Sequence, residues 1–116
     1  MSRRCFLHAK IHRATLTGAR VEYEGSISID SNLLDLAGID PFEQVDVYNA
    51  TNGERLTTYA IAGEPGQFCL NGAAALKGNA GDIVIIAAYV WLAPDEIKGH
   101  IPKVVLLGPG NALVQG

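Results

Sequence analysis

Short strand-like segments separated by brief turn signals constrain the fold of this chain more than any other feature. They cover residues 6–12, 21–30, 45–49, 55–61, 67–70, 83–91 and 104–107. As a set they are rich in β-branched, aromatic and other apolar residues, and Gly, Pro, Asn and Asp cluster between them. Strands this short and this frequent favour a closed barrel or a sandwich over alternating βαβ units. The sequence therefore predicts a mainly β fold.

Two or three short helices are predicted between the strands. Ser31 is expected to cap a helix of about two turns that ends at Gly38, where a left-handed residue closes the last turn. Asn71 is expected to cap a second helix, and Pro94 to open a third over residues 95–98.

Asn52-Gly53, between two predicted strands, indicates a β-hairpin, because both residues accept the positive φ of a type I′ turn. In the strand that follows, Arg55 and Tyr59 share a face and can point into one pocket. A guanidinium matches a carboxylate, and a phenol can deliver a proton. Taken singly, Arg55 is more often explained as an exposed arginine and Tyr59 as a tyrosine that covers the core.

Composition excludes several functional classes. The 116 residues suffice for one domain, residues 1–116, and a net charge of −3 argues against a nucleic-acid surface. Cys5 and Cys69 have no metal-ligand spacing and form no disulfide framework, so reduced thiols and no metal are expected. The longest apolar run, residues 83–92, is too short to span a bilayer. We therefore expect a cytoplasmic protein without a nucleic-acid or membrane partner.

Gly25 alone interrupts the alternation of apolar and polar residues in the predicted strand 21–30. A glycine inside a strand indicates a bulge, a bend or a backbone that must be free of side-chain hindrance. An unhindered backbone would also allow the peptide bond itself to react. The hydroxyl of Ser26 can attack the carbonyl of Gly25 when the backbone is strained and open. The residues by themselves leave these explanations open.

Two further groups could bind an anion. Lys10 and His12 lie on one side of the first predicted strand. Asn71 precedes small residues at a predicted helix start, where free backbone N–H groups attract negative charge. Because exposed charges and helix caps are common, neither group establishes a function alone.

Five motifs taken together resemble a known family. They are Lys10-Ile11-His12-Arg13, Tyr23-Glu24-Gly25-Ser26, the segment from Tyr48 to Arg55, the segment from Thr57 to Ile61, and Asn71-Gly72-Ala73-Ala74-Ala75. Their order and spacing are similar to those of the aspartate 1-decarboxylase family, the pyruvoyl-dependent enzymes that make β-alanine.

The resemblance implies a double-psi β-barrel, assembled as a homotetramer with active sites between subunits. It also implies that the protein cleaves its own Gly25–Ser26 bond, giving a β chain of residues 1–25 and an α chain of residues 26–116. The Ser26 hydroxyl would attack the Gly25 carbonyl, and Thr58 would donate a hydrogen bond to the oxyanion. Elimination and loss of ammonia would then leave a pyruvoyl group in place of Ser26.

For catalysis, the resemblance implies a Schiff base between the amine of L-aspartate and the pyruvoyl carbonyl, which accepts the electrons released with CO2. Tyr59 is then the proton donor, while Arg55 and Lys10 bind the two carboxylates. The other pocket residues are His12, Tyr48, Asn71, Gly72, Ala73 and Ala74. Tyr48 stands where the family often carries tryptophan. The product, β-alanine, would serve pantothenate and coenzyme A biosynthesis.

Two other functions stay open on sequence grounds: a non-enzymatic barrel that serves as a binding or assembly module, and a pyruvoyl decarboxylase for another amino acid. The Gly25–Ser26 bond weighs against the first. Two cations, Lys10 and Arg55, suit a dicarboxylate better than a neutral amino acid. A separate maturation factor is a partner in some members of the family, whereas most cleave unaided, and the sequence fits both groups.

Overall fold

The structure, a computed structural model, describes residues 2–116. Its strands are β1 (Arg4–Thr15), β2 (Gly18–Arg20), β3 (Ser26–Asp30), β4 (Gln44–Asn49), β5 (Arg55–Gly63), β6 (Phe68–Asn71), β7 (Ile83–Leu92), β8 (Lys103–Leu107) and β9 (Leu113–Gln115). The helices are α1 (Ser31–Ala37), α2 (Pro94–Ile97) and two 3₁₀ helices, Gly72–Lys77 and Pro109–Asn111. The mainly β prediction with a few short helices is therefore confirmed.

Hydrogen bonds join the strands in the order β2-β6-β3-β5-β4-β7-β1-β8-β9. Three neighbouring pairs are parallel, namely β1 with β8, β2 with β6, and β3 with β5. The parallel pairs require crossover connections, because a tight turn can join only antiparallel neighbours. Strand β3, which begins at Ser26, lies between β6, to which it is antiparallel, and β5, to which it is parallel.

The predicted strand 21–30 is wrong in its first half. Residues 21–25 form an exposed turn and bend, and β3 begins only at Ser26. The alternation of apolar and polar side chains continues through the turn, so the pattern alone did not locate the start of the strand. Gly25 therefore lies at the end of a loop, and the explanation of this glycine as a bulge in a strand is wrong.

The first helix is capped by a different residue from the one predicted. The Asp30 side chain, not that of Ser31, accepts hydrogen bonds from the backbone N–H groups of Asn32 and Leu33, at 2.8 and 3.3 Å. Ser31 is exposed as the first helical residue. Gly38 ends the helix with a φ of 73°, as predicted.

The hairpin between β4 and β5 is confirmed, but its turn is not type I′. Gly53 has a positive φ of 79°, whereas Asn52 does not. The Asn49 side chain instead accepts hydrogen bonds from the backbone N–H groups of Thr51 and Asn52, at 2.9 and 3.2 Å. An asparagine side chain can replace backbone pairing in this way, which produces a wider loop.

Strand β3 is enclosed by the hydrophobic core. All five residues of β3 are buried, and the largest fully buried side chains around them come from several strands. They include Ile11, Ile27, Ile29, Val47, Phe68, Leu70 and Ile86. Ser26 is therefore the first buried residue after an exposed loop. Within residues 2–116, no helix is long and apolar enough to cross a membrane.

Candidate active site

The start of β3 forms one wall of a cavity of about 440 Å³, here called the Ser26 cavity. Its lining consists of Tyr23, Glu24, Ser26, Ser28, Phe42, Tyr59, Ile61 and Asn71. Ser26 is only 2% exposed, whereas the loop residues Tyr23 and Glu24 are exposed. The cavity thus joins a buried hydroxyl to a surface loop, and it brings together the predicted residues Ser26, Tyr59 and Asn71.

The Ser26 hydroxyl is held on both sides. Asn71 Nδ2 donates to Ser26 Oγ and to Ser28 Oγ, each at 3.0 Å. Ser26 Oγ donates to the carbonyl oxygen of Glu24 at 3.4 Å. Because the Asn71 side chain is used here, it makes no capping hydrogen bond to the helix that follows, and that predicted cap is wrong.

The backbone around the Gly25–Ser26 bond is open on one side and crowded on the other. A Cβ built on Gly25 would meet nothing within 4 Å. A Cβ on Gly72, which has a φ of 63°, would lie 2.5 Å from the nitrogen of Gly25 and 2.7 Å from the carbonyl oxygen of Tyr23. Gly72 therefore allows the loop to pack against the start of the 3₁₀ helix, while the Gly25 carbonyl lies beside an unhindered Cα.

Strand β5 supplies Tyr59 to this region. The parallel register pairs Ile27 with Ala60. Tyr59, the residue before Ala60 on β5, lines the Ser26 cavity together with Ser26, whereas Thr58 is not part of that lining. The structure thus brings Tyr59 to the Ser26 cavity, while the role of Thr58 stays a prediction.

Phe42 is a part of the cavity that sequence reasoning missed. Its ring stacks on that of Tyr59, with 6.3 Å between the centroids. It is 76% exposed and has a φ of 73°, an uncommon conformation for a bulky residue. No local signal in the sequence predicts this conformation, whereas Ser28, also missed, could have been found two residues from Ser26 on the same face.

A second group of predicted residues lies elsewhere on the sheet. The guanidinium carbon of Arg55 is 4.1 Å from the centroid of the Tyr48 ring. Tyr48 lines a cavity of about 230 Å³ with Arg55 and one of about 200 Å³ with Lys10. Burial, together with hydrogen bonds to Tyr89 and Asp46, raises the pKa of Tyr48, so this phenol stays protonated. Lys10, Tyr48 and Arg55 therefore form one cationic and aromatic surface.

The two groups are well separated within one chain. Arg55 and Tyr59 are four residues apart on β5, which corresponds to about 13 Å along a strand. They line different cavities, so the prediction of one shared pocket is not met within a single subunit. Lys10 lies on β1, which is separated from β5 by both β4 and β7.

His12, Ala73 and Ala74 lie outside the linings of these cavities, as defined by residues 2–116. Nδ1 of His12 is buried without a hydrogen-bond partner among the described residues. Burial, followed by the charges of Lys10 and Arg13, lowers the pKa of His12. The unused nitrogen of this imidazole is enclosed, so residues 2–116 of one chain show no contact through which His12 could bind a ligand.

Comparisons with known proteins show the family of this chain. The sequence profile described as "Aspartate decarboxylase" matches residues 1–114. A protein named aspartate 1-decarboxylase from Desulfotalea psychrophila is 51% identical over 92% of each chain. The proteins of that name from Syntrophobacter fumaroxidans and Acaryochloris marina are each 54% identical over 97% of this chain, which covers 94% and 87% of their lengths. This chain belongs to the aspartate decarboxylase family.

Proposed function

We propose that this protein decarboxylates L-aspartate to β-alanine and CO2 for pantothenate and coenzyme A biosynthesis, using a pyruvoyl group made from its own Ser26. Membership of the family supports the reaction. The assignment of Ser26 as the source of the pyruvoyl group rests on the surroundings of its hydroxyl. Its hydroxyl accepts a hydrogen bond from Asn71 at 3.0 Å inside a cavity, and the residue before it is a glycine with open space around its Cα.

Maturation begins when Ser26 Oγ attacks the carbonyl carbon of Gly25, the peptide C–N bond between Gly25 and Ser26 breaks, and the hydroxyl proton passes to the departing nitrogen. This step leaves an ester and a free amine, and Thr58 donates to the oxyanion that forms on the way. The Cα proton of Ser26 then passes to solvent, the Cβ–Oγ bond breaks, and residues 1–25 leave with a terminal carboxylate. One water replaces the amine, which departs as ammonia, and a pyruvoyl group heads residues 26–116.

The pyruvoyl group supplies an electron sink for the loss of CO2. The residues around Ser26 fit it, because Asn71 already donates at this position and the cavity leaves room for a substrate. Tyr59 lines the Ser26 cavity and donates the proton that replaces CO2 on carbon. Gly72, Ala73 and Ala74 follow Asn71 at the start of the 3₁₀ helix, outside the cavity lining of a single chain, and we assign them to the pocket by resemblance to the family.

Arg55 and Lys10 bind the two carboxylates of aspartate, and His12 assists them. The Arg55 guanidinium lies against the Tyr48 ring and lines a different cavity from Ser26 of the same chain, about 13 Å along β5 from Tyr59, so a carboxylate held there is directed away from that Ser26. We therefore infer that one subunit contributes Lys10, Tyr48 and Arg55, and that its neighbour contributes Ser26 and Tyr59. A homotetramer of double-psi barrels, each a single domain of residues 1–116 in the cytoplasm, satisfies this requirement.

The intact mass of the purified protein under denaturing conditions tests maturation. We expect two fragments divided after Gly25, the larger being lighter by one ammonia than its serine-terminated form, together with release of β-alanine from aspartate. A single full-length mass after prolonged warm incubation would contradict unaided cleavage, and cleavage only in the presence of a cell extract would indicate a maturation factor. Complete cleavage without β-alanine formation would refute the substrate assignment.

Gly72→Ala is expected to slow cleavage about tenfold or more, because the added methyl group would overlap the nitrogen of Gly25 and displace the loop. A matched control is Gly66→Ala, since Gly66 also has a positive φ, of 78°, but a Cβ there meets nothing within 4 Å. Both variants carry a similar backbone penalty. The rate of cleavage, followed by intact mass, should fall only for Gly72→Ala, and equal rates would refute the crowding argument.

A further inference from the structure

The side-chain amide of Asn71 has a nitrogen that donates hydrogen bonds and an oxygen that accepts them. Which of the two faces Ser26 decides whether the amide donates to the Ser26 hydroxyl or accepts from it. Its nitrogen faces the hydroxyls of Ser26 and Ser28, whereas Oδ1 accepts a hydrogen bond from Cys69 Sγ at 3.5 Å. The strand register explains the grouping, because Ser26 pairs with Asn71 and Ser28 pairs with Cys69. All four residues are less than one-tenth exposed. We call them the Asn71 cluster.

Cys69 is the member of the Asn71 cluster that distinguishes the two ends of the amide. The hydroxyls of Ser26 and Ser28 can donate or accept, so they tolerate either orientation. A thiol donates through S–H, and burial raises the pKa of Cys69, which keeps that hydrogen in place. The thiol lies closer to Asn71 Oδ1, at 3.5 Å, than to the carbonyl oxygen of Leu70, at 3.8 Å. The amide oxygen therefore faces Cys69, and its N–H groups face the serines.

We propose that Cys69 and Ser28 are positioning residues for maturation, which hold the Asn71 amide so that it donates to Ser26 Oγ. The proposal rests on the proposed self-cleavage. Ser26 Oγ becomes the bridging oxygen of the ester, and during elimination the electrons of the Cβ–Oγ bond move onto it. A donor aimed at that oxygen stabilises the developing carboxylate of Gly25. A rotated amide would place its own oxygen there and repel the charge.

The orientation also affects a competing reaction of the ester. In hydrolysis, water attacks the Gly25 carbonyl carbon, negative charge first builds on the carbonyl oxygen, and Ser26 is regenerated as an N-terminal serine. In elimination, the charge builds directly on Oγ. Donation from Asn71 to Oγ therefore favours elimination, so the Asn71 cluster influences both the rate of cleavage and the identity of the new N-terminus.

The test uses full-length protein from cell-free synthesis, followed from the time of synthesis by intact mass. Cys69→Ala is expected to slow pyruvoyl formation roughly threefold to tenfold, the effect of one hydrogen bond, and to raise the share of serine-terminated α chain. Ser28→Ala should shift both quantities in the same direction. Cys69→Ser retains a hydroxyl donor and is expected to restore both. Cys5→Ala, which removes an exposed thiol, serves as the matched control.

Each outcome decides the proposal. Equal slowing by Cys69→Ala and Cys69→Ser would overturn it, because the loss would then reflect packing of the sulfur atom. A lower melting temperature of Cys69→Ala with unchanged rate and unchanged N-terminus would overturn it as well. If the wild-type protein forms no pyruvoyl group, even with cell extract, the proposed function itself fails. If wild type matures and Cys69→Ala matures identically, only the role of the Asn71 cluster fails.

Discussion

Ser26→Ala is expected to remain a single full-length chain and to form no β-alanine from aspartate. The substitution removes the only atom placed to attack the Gly25 carbonyl from the following residue, so neither the ester nor the pyruvoyl group can form. The fold should survive, because Ser26 begins a strand whose five residues are buried between two neighbours. Denaturing mass spectrometry and a β-alanine assay measure the two losses.

Ser31→Ala is the matched control for this substitution. Ser31 lies five residues further along the chain, is exposed, and does not cap its helix, which Asp30 caps instead. We expect this variant to be cleaved and active like the wild type. A Ser26→Ala protein that still decarboxylates aspartate would show that the electron sink comes from elsewhere.

Arg55→Ala is expected to cleave normally but to lose about thirtyfold or more in kcat/KM for aspartate. The guanidinium lies on the Tyr48 ring, away from the Ser26 cavity, so maturation does not depend on it. Arg55 is exposed in the single chain, and the proposed neighbouring subunit would desolvate it. Removing one partner of a desolvated, hydrogen-bonded charge pair costs about 2–5 kcal/mol, which gives this magnitude. Fragment masses and steady-state kinetics separate the two effects, and Arg3→Ala, at an exposed arginine, is the control.

Mixed tetramers extend this prediction to the location of the site. Tyr59→Phe should also be cleaved yet inactive, because it retains Ser26 and loses the proton donor. If Arg55 and Tyr59 of different subunits meet, co-expression of the two inactive variants rebuilds about one quarter of the sites by random assembly. A mixture that remains inactive would place both residues in the same subunit and contradict the inference of a shared site.

Local sequence signals predicted the elements that depend on local chemistry. The left-handed Gly38 ends α1 because few other residues accept its φ, and the hairpin forms around Asn52-Gly53. Predictions that depended on side-chain partners were less successful. Asp30 caps α1 in place of Ser31, and Asn71 turns away from its helix toward Ser26, because partners distant in sequence compete for the same groups.

The part of the candidate site around Ser26 could be predicted from the sequence motifs. Ser26, Tyr59 and Asn71 could be predicted to meet, since resemblance placed them in one pocket and the structure lines one cavity with them. The contact of Cys69 with Asn71 and the pairing of Cys69 with Ser28 could not, because they depend on a cross-strand register that no local pattern encodes. The sequence also did not predict that Arg55 and Tyr59 line different cavities, because the shape of each cavity depends on residues from other strands and loops.

Strand β1 gives maturation a thermodynamic consequence. It belongs to residues 1–25, yet it pairs with β7 on one side and with β8 on the other. Once the Gly25–Ser26 bond is cut, this inner strand is no longer covalently attached to the sheet that surrounds it. Unfolding of the mature protein then separates two chains within every subunit as well as the subunits themselves, so its apparent stability depends more steeply on protein concentration, and the precursor is the species whose subunit can refold as one chain.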